Sequence, residues 1–404
     1  MPSEFARHWI LAPEIAFLNH GSFGAAPVPV LAAQQAWRDR MEAEPVRFFS
    51  QDLEPALAEA RAALAAFVGA DPDDLAFVPN ATAGFNTVLR SLQFNPGDEL
   101  LTTDHAYNAA KNALQHAAER DGARVVVASV PFPCGGTADV ADAILGAVTS
   151  RTRLALLDHI TSATALAFPI EALVAELAAQ GVETLVDGAH APGQLAVDVA
   201  AVGASFYTAN LHKWVCAPKG SGFLWVRHDR QEAVRPLSIS HGANSPRTGL
   251  SRFRVEFDWT GTYDPSAFLA VPAALAFGEA LLPGGWPALR ARNHELALAG
   301  RELLLAALDV PAPAPAEMIG SMASVPLSEE PGAGRVQGID LYGDPVHDHL
   351  EALGIQAMLT PWPQRPGAGP WRRLLRISAA AYNDLAQYEA LAAALPGAVR
   401  AAAA

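Results

Sequence analysis

Leu185-Val186-Asp187-Gly188-Ala189-His190 is an apolar run closed by an acid, and Thr208-Ala209-Asn210-Leu211-His212-Lys213-Trp214 carries a lysine just beyond a second apolar run. Thr184–Val186 and Ala204–Tyr207 lack polar alternation, which predicts strands covered on both faces of a mostly parallel sheet, with Asp187 and Lys213 in the loops that follow. Gly220–Val226 predicts a tight turn and a further strand. A carboxylate at one strand end and an amine after another are the two groups pyridoxal phosphate needs. The first keeps a pyridinium nitrogen protonated and the second forms a Schiff base. Alone, Asp187 also suits an ordinary turn and Lys213 a solvated charge, so the pair carries the reading.

Outward from this centre, strands predicted at Ala123–Val130 and Arg153–Leu157 alternate with amphipathic helices at Glu54–Phe67, Ile170–Ala179 and Leu289–Leu308. That alternation predicts an α/β fold. Gly284-Gly285 and the Pro/Ala tract Val310–Ala316 punctuate the later chain. Leu375-Arg376-Ile377-Ser378 with the helical run Leu385–Leu395 then predicts a smaller α+β unit. The domain change is expected near 263–275: a large domain over 18–265, and a small one formed by 1–17 and 266–404.

Phe77-Val78-Pro79-Asn80-Ala81-Thr82-Ala83-Gly84 runs from a strand through small residues into a helix expected to begin about Ala83. Free amides at a helix N-terminus and the Thr82 hydroxyl suit a phosphate, although a plain capped helix start has the same composition.

A chain of 404 residues is large enough for two domains and an enclosed site. Its net charge of −14 and pI near 5.3 argue against nucleic acid and anionic membrane as partners. Two cysteines, Cys134 and Cys216, make no disulfide framework. The segment Met1–Trp9 has no basic patch leading into an apolar core, and no apolar run is long enough to span a bilayer. A cytoplasmic protein acting on a small metabolite, with no metal site, is the expectation.

Asp187-Gly188-Ala189-His190 and His212-Lys213 resemble the class V, fold type I pyridoxal-phosphate enzymes. With Leu18-Asn19-His20-Gly21-Ser22-Phe23-Gly24, Asp104–Asn108 and Asp158-His159-Ile160-Thr161-Ser162, the chain looks most like the isopenicillin N epimerase branch. The resemblance implies a seven-stranded, mostly parallel sheet between helices. It implies Lys213 as the Schiff-base lysine, Asp187 on the pyridinium nitrogen, and His190 near the phenolic oxygen. Thr82 and the Ala83 amide would hold the phosphate, with His212 and Asn210 close by. Tyr107 would stack on the ring, with His105 as its alternative. Thr262, in Trp259-Thr260-Gly261-Thr262, would reach the phosphate of a partner subunit, which implies a homodimer with its site at the interface. Arg376 matches the arginine that forks onto an α-carboxylate, a geometry lysine does not reproduce.

The scaffold leaves the reaction open between an epimerase, a carbon–sulfur β-lyase and a class V aminotransferase, with a catalytically silent homologue as the reading from another class. Conventional desulfurase chemistry needs a mobile thiol, and Gln337–Arg376 contains none. Cys216, three residues past Lys213, reads as a packed core thiol. Epimerisation asks for a second acid/base, for which Tyr107, His20, His105 and His241 are candidates. Arg47, if it turns inward, could hold a distal carboxylate. The substrate pocket is expected among His20, Arg47, His241–Arg247 and Trp362–Trp371.

Overall fold

The computed structural model describes residues 3–327, 344–363 and 372–403. In chain order its strands are β1 (Ala16–Phe17), β2 (Leu75–Val78), β3 (Glu99–Thr103), β4 (Arg124–Ala128), β5 (Thr152–Asp158), β6 (Glu183–Asp187), β7 (Phe206–Asn210), β8 (Gly222–Val226), β9 (Met322–Pro326), β10 (Ile355–Gln356), β11 (Met358–Trp362) and β12 (Arg372–Ser378). A seven-stranded sheet has the order β2-β8-β7-β6-β5-β3-β4. The block β7-β6-β5-β3-β4 is parallel, and only β8 runs antiparallel to both of its neighbours. The expected α/β architecture is the one observed.

Residues in sequence along a strand face opposite sides, so a sheet covered on both sides needs consecutive apolar residues. Leu185 and Val186 are both fully buried: Leu185 packs with Leu156 and Phe206 on one face, Val186 with Leu157 and Tyr207 on the other. This is why β6 carries no polar alternation. The predicted helices lie inside or coincide with Leu53–Val68, Ile170–Ala179 and Gly285–Leu308.

The helix after β2 is Ala81–Ser91 and starts two residues before the expected Ala83, because Asn80 caps it: its Oδ1 accepts from the Ala83 amide at 2.9 Å. A second unit is built on the antiparallel sheet β11-β12-β9, whose central strand carries Arg376 opposite Ser324 and Met358. Helices Gly285–Leu308 and Leu385–Ala403 pack against each other in it. The chain leading into His20 is stitched to this unit: β1 pairs with β10, Leu18 N donates to Gln356 O, and Ser378 N donates to Leu18 O.

Gly84 sets how closely the helix Ala81–Ser91 can approach the sheet. A Cβ there would lie 1.9 Å from Thr208 Oγ1, which is anchored by its own bond to Phe223 O at 2.8 Å. Gly84→Ala should therefore lower unfolding stability by about 1–3 kcal/mol, the cost of overpacking a closed core, read as a shift in the denaturant midpoint at unchanged slope.

Candidate active site

At the C-terminal edge of the parallel block, strand ends, the helix start at Asn80–Thr82 and the segment Ser22–Phe23 enclose a cleft of ≈ 250 Å³. Ligands of open α/β sheets bind at this edge. A wider groove of ≈ 700 Å³ is lined by His228, Asp229, Gln231, Glu232 and Ser251–Phe253, and none of these side chains is a buried polar group without a partner among the described residues. The chemistry converges on the smaller cleft.

Lys213 follows β7 in a tight loop held by Leu211 N and Ala217 N, which donate to Ser221 O and Leu211 O at 3.0 Å each, and by Cys216 N, which donates to Lys213 O at 2.9 Å. Gly24 makes room for this loop: its φ is +67°, and a Cβ there would meet His212 O at 1.9 Å. The lysine opens onto the cleft yet is ringed by protein, and Nζ lies 3.1 Å from His190 Nε2. Desolvation first, and then the nearby Arg376 charge, pull its pKa from 10.5 to about 7. It can therefore exist as a free amine near neutrality.

Asp187 ends β6, and its Oδ1 accepts from the Ala189 amide at 3.0 Å. Burial pushes its carboxyl above the ordinary range, against the Ala189 bond and the Lys213 charge. A cationic ring nitrogen beside it would favour its anion. Asp158 at the end of β5 stands in register with Asp187, lines the same cleft, and has an Oδ2 that takes no partner among the described residues. Burial and the Asp187 charge push Asp158 well up, although the Tyr107 amide donates to it.

Arg376 is fully buried, and no carboxylate lies within ion-pair distance among the described residues. Its Nη1 donates to Ser162 O at 2.7 Å and Oγ at 3.3 Å, its Nη2 to Ser22 Oγ at 3.1 Å and Asn19 Oδ1 at 3.3 Å, and Nε takes no partner among the described residues. Burial lowers its pKa to about 10. Ser22 and Ser162 line the cleft and hold the guanidinium at its wall. A buried cation without an anion is costly, and an incoming carboxylate would supply one.

Other expected residues divide. Tyr107, Asn210, His212 and Thr82 line the cleft. Asn210 Oδ1 accepts from the Ala81 amide at 2.8 Å, which pins the helix start to β7. The Ala83 amide is spent on Asn80, so of the pair expected on phosphate only Thr82 has an uncommitted amide and hydroxyl among the described residues. His105 is buried and committed to Thr164 Oγ1 at 2.7 Å and Val130 O at 3.0 Å, which leaves the cleft to its neighbour Tyr107. His20 does not contact substrate space: Nε2 donates to Lys213 O at 2.9 Å and Nδ1 accepts from Tyr382 at 2.7 Å, so it buttresses the lysine loop from behind. Arg47 is exposed and paired with Glu44, and does not turn inward. Thr262 is exposed and away from its own chain's cleft, His241 is exposed, and Arg247 pairs with Glu54. Trp362 is buried on His105 and Phe132, while Arg365 and Trp371 fall outside the described residues. Cys216 packs behind Lys213, where burial raises its thiol to about 12, so it is no thiolate. Asp158, Ser162 and Trp214 were not singled out individually by sequence. Strand-end register with Asp187 is the signal that finds Asp158.

Residues 22–328 match the aminotransferase class-V family. The chain belongs to that family. It is 32% identical to the probable L-cysteine desulfhydrase, chloroplastic, of Arabidopsis thaliana, over 98% of this chain and 85% of the relative. It is 34% identical to the isopenicillin N epimerase of Amycolatopsis lactamdurans, over 95% of each. Among solved structures it superimposes on a C-DES variant with glycine covalently linked to its PLP cofactor, with a TM-score of 0.77 at 22% identity, over 97% of this chain and 99% of that one. The fold type I architecture is thereby shared.

Pyridoxal phosphate is the cofactor of class V enzymes, and the cleft fits it by its donor set. There is a buried acid for a ring nitrogen, an amine of lowered pKa for the aldehyde carbon, and Thr82 at a helix start for the phosphate. The lowered Lys213 pKa has a direct consequence. Below about 7 the ammonium is inert and above it the amine is free, so cofactor capture by apoprotein should rise through pH near 7 and then level, as measured by absorbance kinetics. A rate still climbing tenfold per unit at pH 9 would contradict the burial argument.

Proposed function

We propose that this class V enzyme is a carbon–sulfur β-lyase acting on L-cysteine or a similarly small β-thio amino acid, and releasing sulfide, pyruvate and ammonia. The observation that carries the reading is that Lys213 lines the cleft as an amine whose pKa burial draws down to about 7, which suits it to take one proton at Cα. Elimination needs one base at Cα. Epimerisation needs a second on the opposite face, and His20, His105 and His241 are withdrawn from that role by their positions. The exposed Arg47 gives no grip on a distal carboxylate, and a cleft of ≈ 250 Å³ suits a small substrate beside a cofactor. The desulfhydrase relatives point the same way.

Bound pyridoxal phosphate supplies the electron sink that lets a bond to Cα break. Asp187 would hold its ring nitrogen, His190 and Tyr107 would contact the ring, and Thr82, with His212 and Asn210 nearby, would hold the phosphate end. Arg376 orients the substrate through its α-carboxylate, and Ser162, Ser22 and Asn19 fix the guanidinium plane for a forked contact. Lys213 takes the Cα proton on Nζ, and the β-thiolate leaves from the neighbouring carbon. Hydrolysis of the remaining imine gives pyruvate and ammonia, so cysteine and one water yield sulfide, pyruvate and ammonia.

The reading extends to a cytoplasmic homodimer. Leu237 and Ile239 are half exposed or more, and the hollow lined by Thr82, Asn86, Arg90 and Leu237 adjoins the phosphate turn, where a partner's Thr262 would enter. Both cysteines are unpaired, and no single described helix is long and apolar enough to cross a membrane.

Isopenicillin-type epimerisation is the second reading, favoured by Tyr107, which lines the cleft and whose hydroxyl has no partner among the described residues. Incubation with L-cysteine should release sulfide and pyruvate in equal amounts, and Lys213→Ala should abolish both along with borohydride-fixed cofactor. Deuterium exchange at Cα with inversion and no sulfide would replace the lyase by the epimerase. A protein that takes up no cofactor would be the silent homologue. Arg376→Lys should lower kcat/KM on the order of 10–100-fold, the loss of a charged forked hydrogen bond.

A further inference from the structure

Behind Lys213 the hydrogen bonds run in a fixed direction. Trp214 Nε1 lies 3.5 Å from His190 Nδ1, with its N–H aimed at that nitrogen, and His190 Nε2 lies 3.1 Å from Lys213 Nζ. An indole nitrogen only donates, so His190 Nδ1 must present a lone pair. A neutral imidazole then carries its hydrogen on Nε2. That hydrogen points at Nζ, which can accept it only as an uncharged amine, because an ammonium has three donors and no lone pair.

We infer that Trp214 is a positioning residue which selects the Nε2–H tautomer of His190, and that this tautomer holds Lys213 as a free amine ready to attack a carbonyl carbon. The inference rests on the cofactor reading above and assigns a new role to a residue next in sequence to the lysine. In the attack, the Nζ lone pair forms the C–N bond. The carbonyl oxygen leaves as water with the two amine hydrogens, so no oxidant or further reactant enters.

The surroundings agree. His190 is buried, which pushes its pKa well below the ordinary imidazole range and keeps it neutral. Gln194 Nε2 donates to His190 O at 2.7 Å and fixes the backbone of this turn. Trp214 itself is buried, with its ring against His20 at 4.9 Å between centroids. The charged and titratable groups around the lysine are Arg376, which opposes the ammonium, Asp187, which favours it, and His212 and His20, which are held neutral by burial. The oriented His190 hydrogen adds to Arg376 in setting the balance against Asp187.

Trp214→Phe keeps the ring and removes the donor. In the apoprotein mixed with pyridoxal phosphate, the pH midpoint of cofactor capture should move up by about one unit, a tenfold slower capture at pH near 6. A 15N spectrum of histidine-labelled apoprotein, with the His190 signal identified by its loss in His190→Gln, should show Nε2–H in the wild type and a tautomer mixture in the variant. The wild-type spectrum needs neither cofactor nor a folded tryptophan variant. An unchanged capture midpoint, or a wild-type His190 protonated at Nδ1, would overturn the inference. If instead no cofactor is captured at any pH while the tautomer is Nε2–H, the relay stands and the cofactor reading falls.

Discussion

Parallel pairing of β5, β6 and β7 is the constraint on which the site depends. Parallel strands finish at the same edge, so their terminal residues become neighbours however far apart they lie in the chain. Here the register sets Asp158 beside Asp187 and Asp187 beside Thr208, and places the loop carrying Lys213 next to the turn carrying His190. The helix Ala81–Ser91 can lie on this edge because Gly84 admits Thr208, and Asn210 pins its first turn. Slipping one strand by a residue would turn Asp187 away from the cleft and bury a polar group without a partner.

Burial decides the charge states that this edge can support. Lys213 and His190 are driven toward their neutral forms, and Arg376, which cannot lose its proton near neutrality, remains as a buried cation. Two carboxyls stand in register, both raised by burial and Asp158 further by the Asp187 charge, so a cation arriving beside them would be favoured. The resulting pattern is a pair of buried acids, a buried guanidinium and an amine of lowered pKa. It complements an aromatic ring nitrogen on one side and an amino acid's carboxylate on the other.

Legibility in the sequence followed the range of the interactions. Asp187 and Lys213 could be read because a strand end and a tight loop are local, and the uninterrupted apolar strands announced a sheet covered on both faces. The helix start slipped by two residues because Asn80, not the small residues after it, captures the free Ala83 amide. His20 could not be read, since its role is decided by Tyr382, 362 positions away, and by the carbonyl of Lys213. Arg47 depends likewise on tertiary placement, which leaves it in water beside Glu44. Asp158 escaped notice because its meaning lies in strand register, which no single stretch displays.

The phosphate end poses the remaining electrostatic question. Thr82 and the helix start offer neutral donors, and His212 offers little more: its Nδ1 donates to Ser221 O at 3.0 Å, and burial lowers its pKa to about 4. Neutral at pH 7 and bonded through Nδ1, it presents a lone pair at Nε2, which would repel a phosphate oxygen unless a proton were taken up with the ligand. Phosphate entry would therefore either protonate His212 or draw donors from outside the chain. The hollow beside Thr82, edged by Arg90 and the exposed Leu237, lies where such donors would arrive. One chain thus brings an amine, an acid and a buried guanidinium to the same cleft, and the homodimer proposed above would bring further donors to the helix start at Thr82.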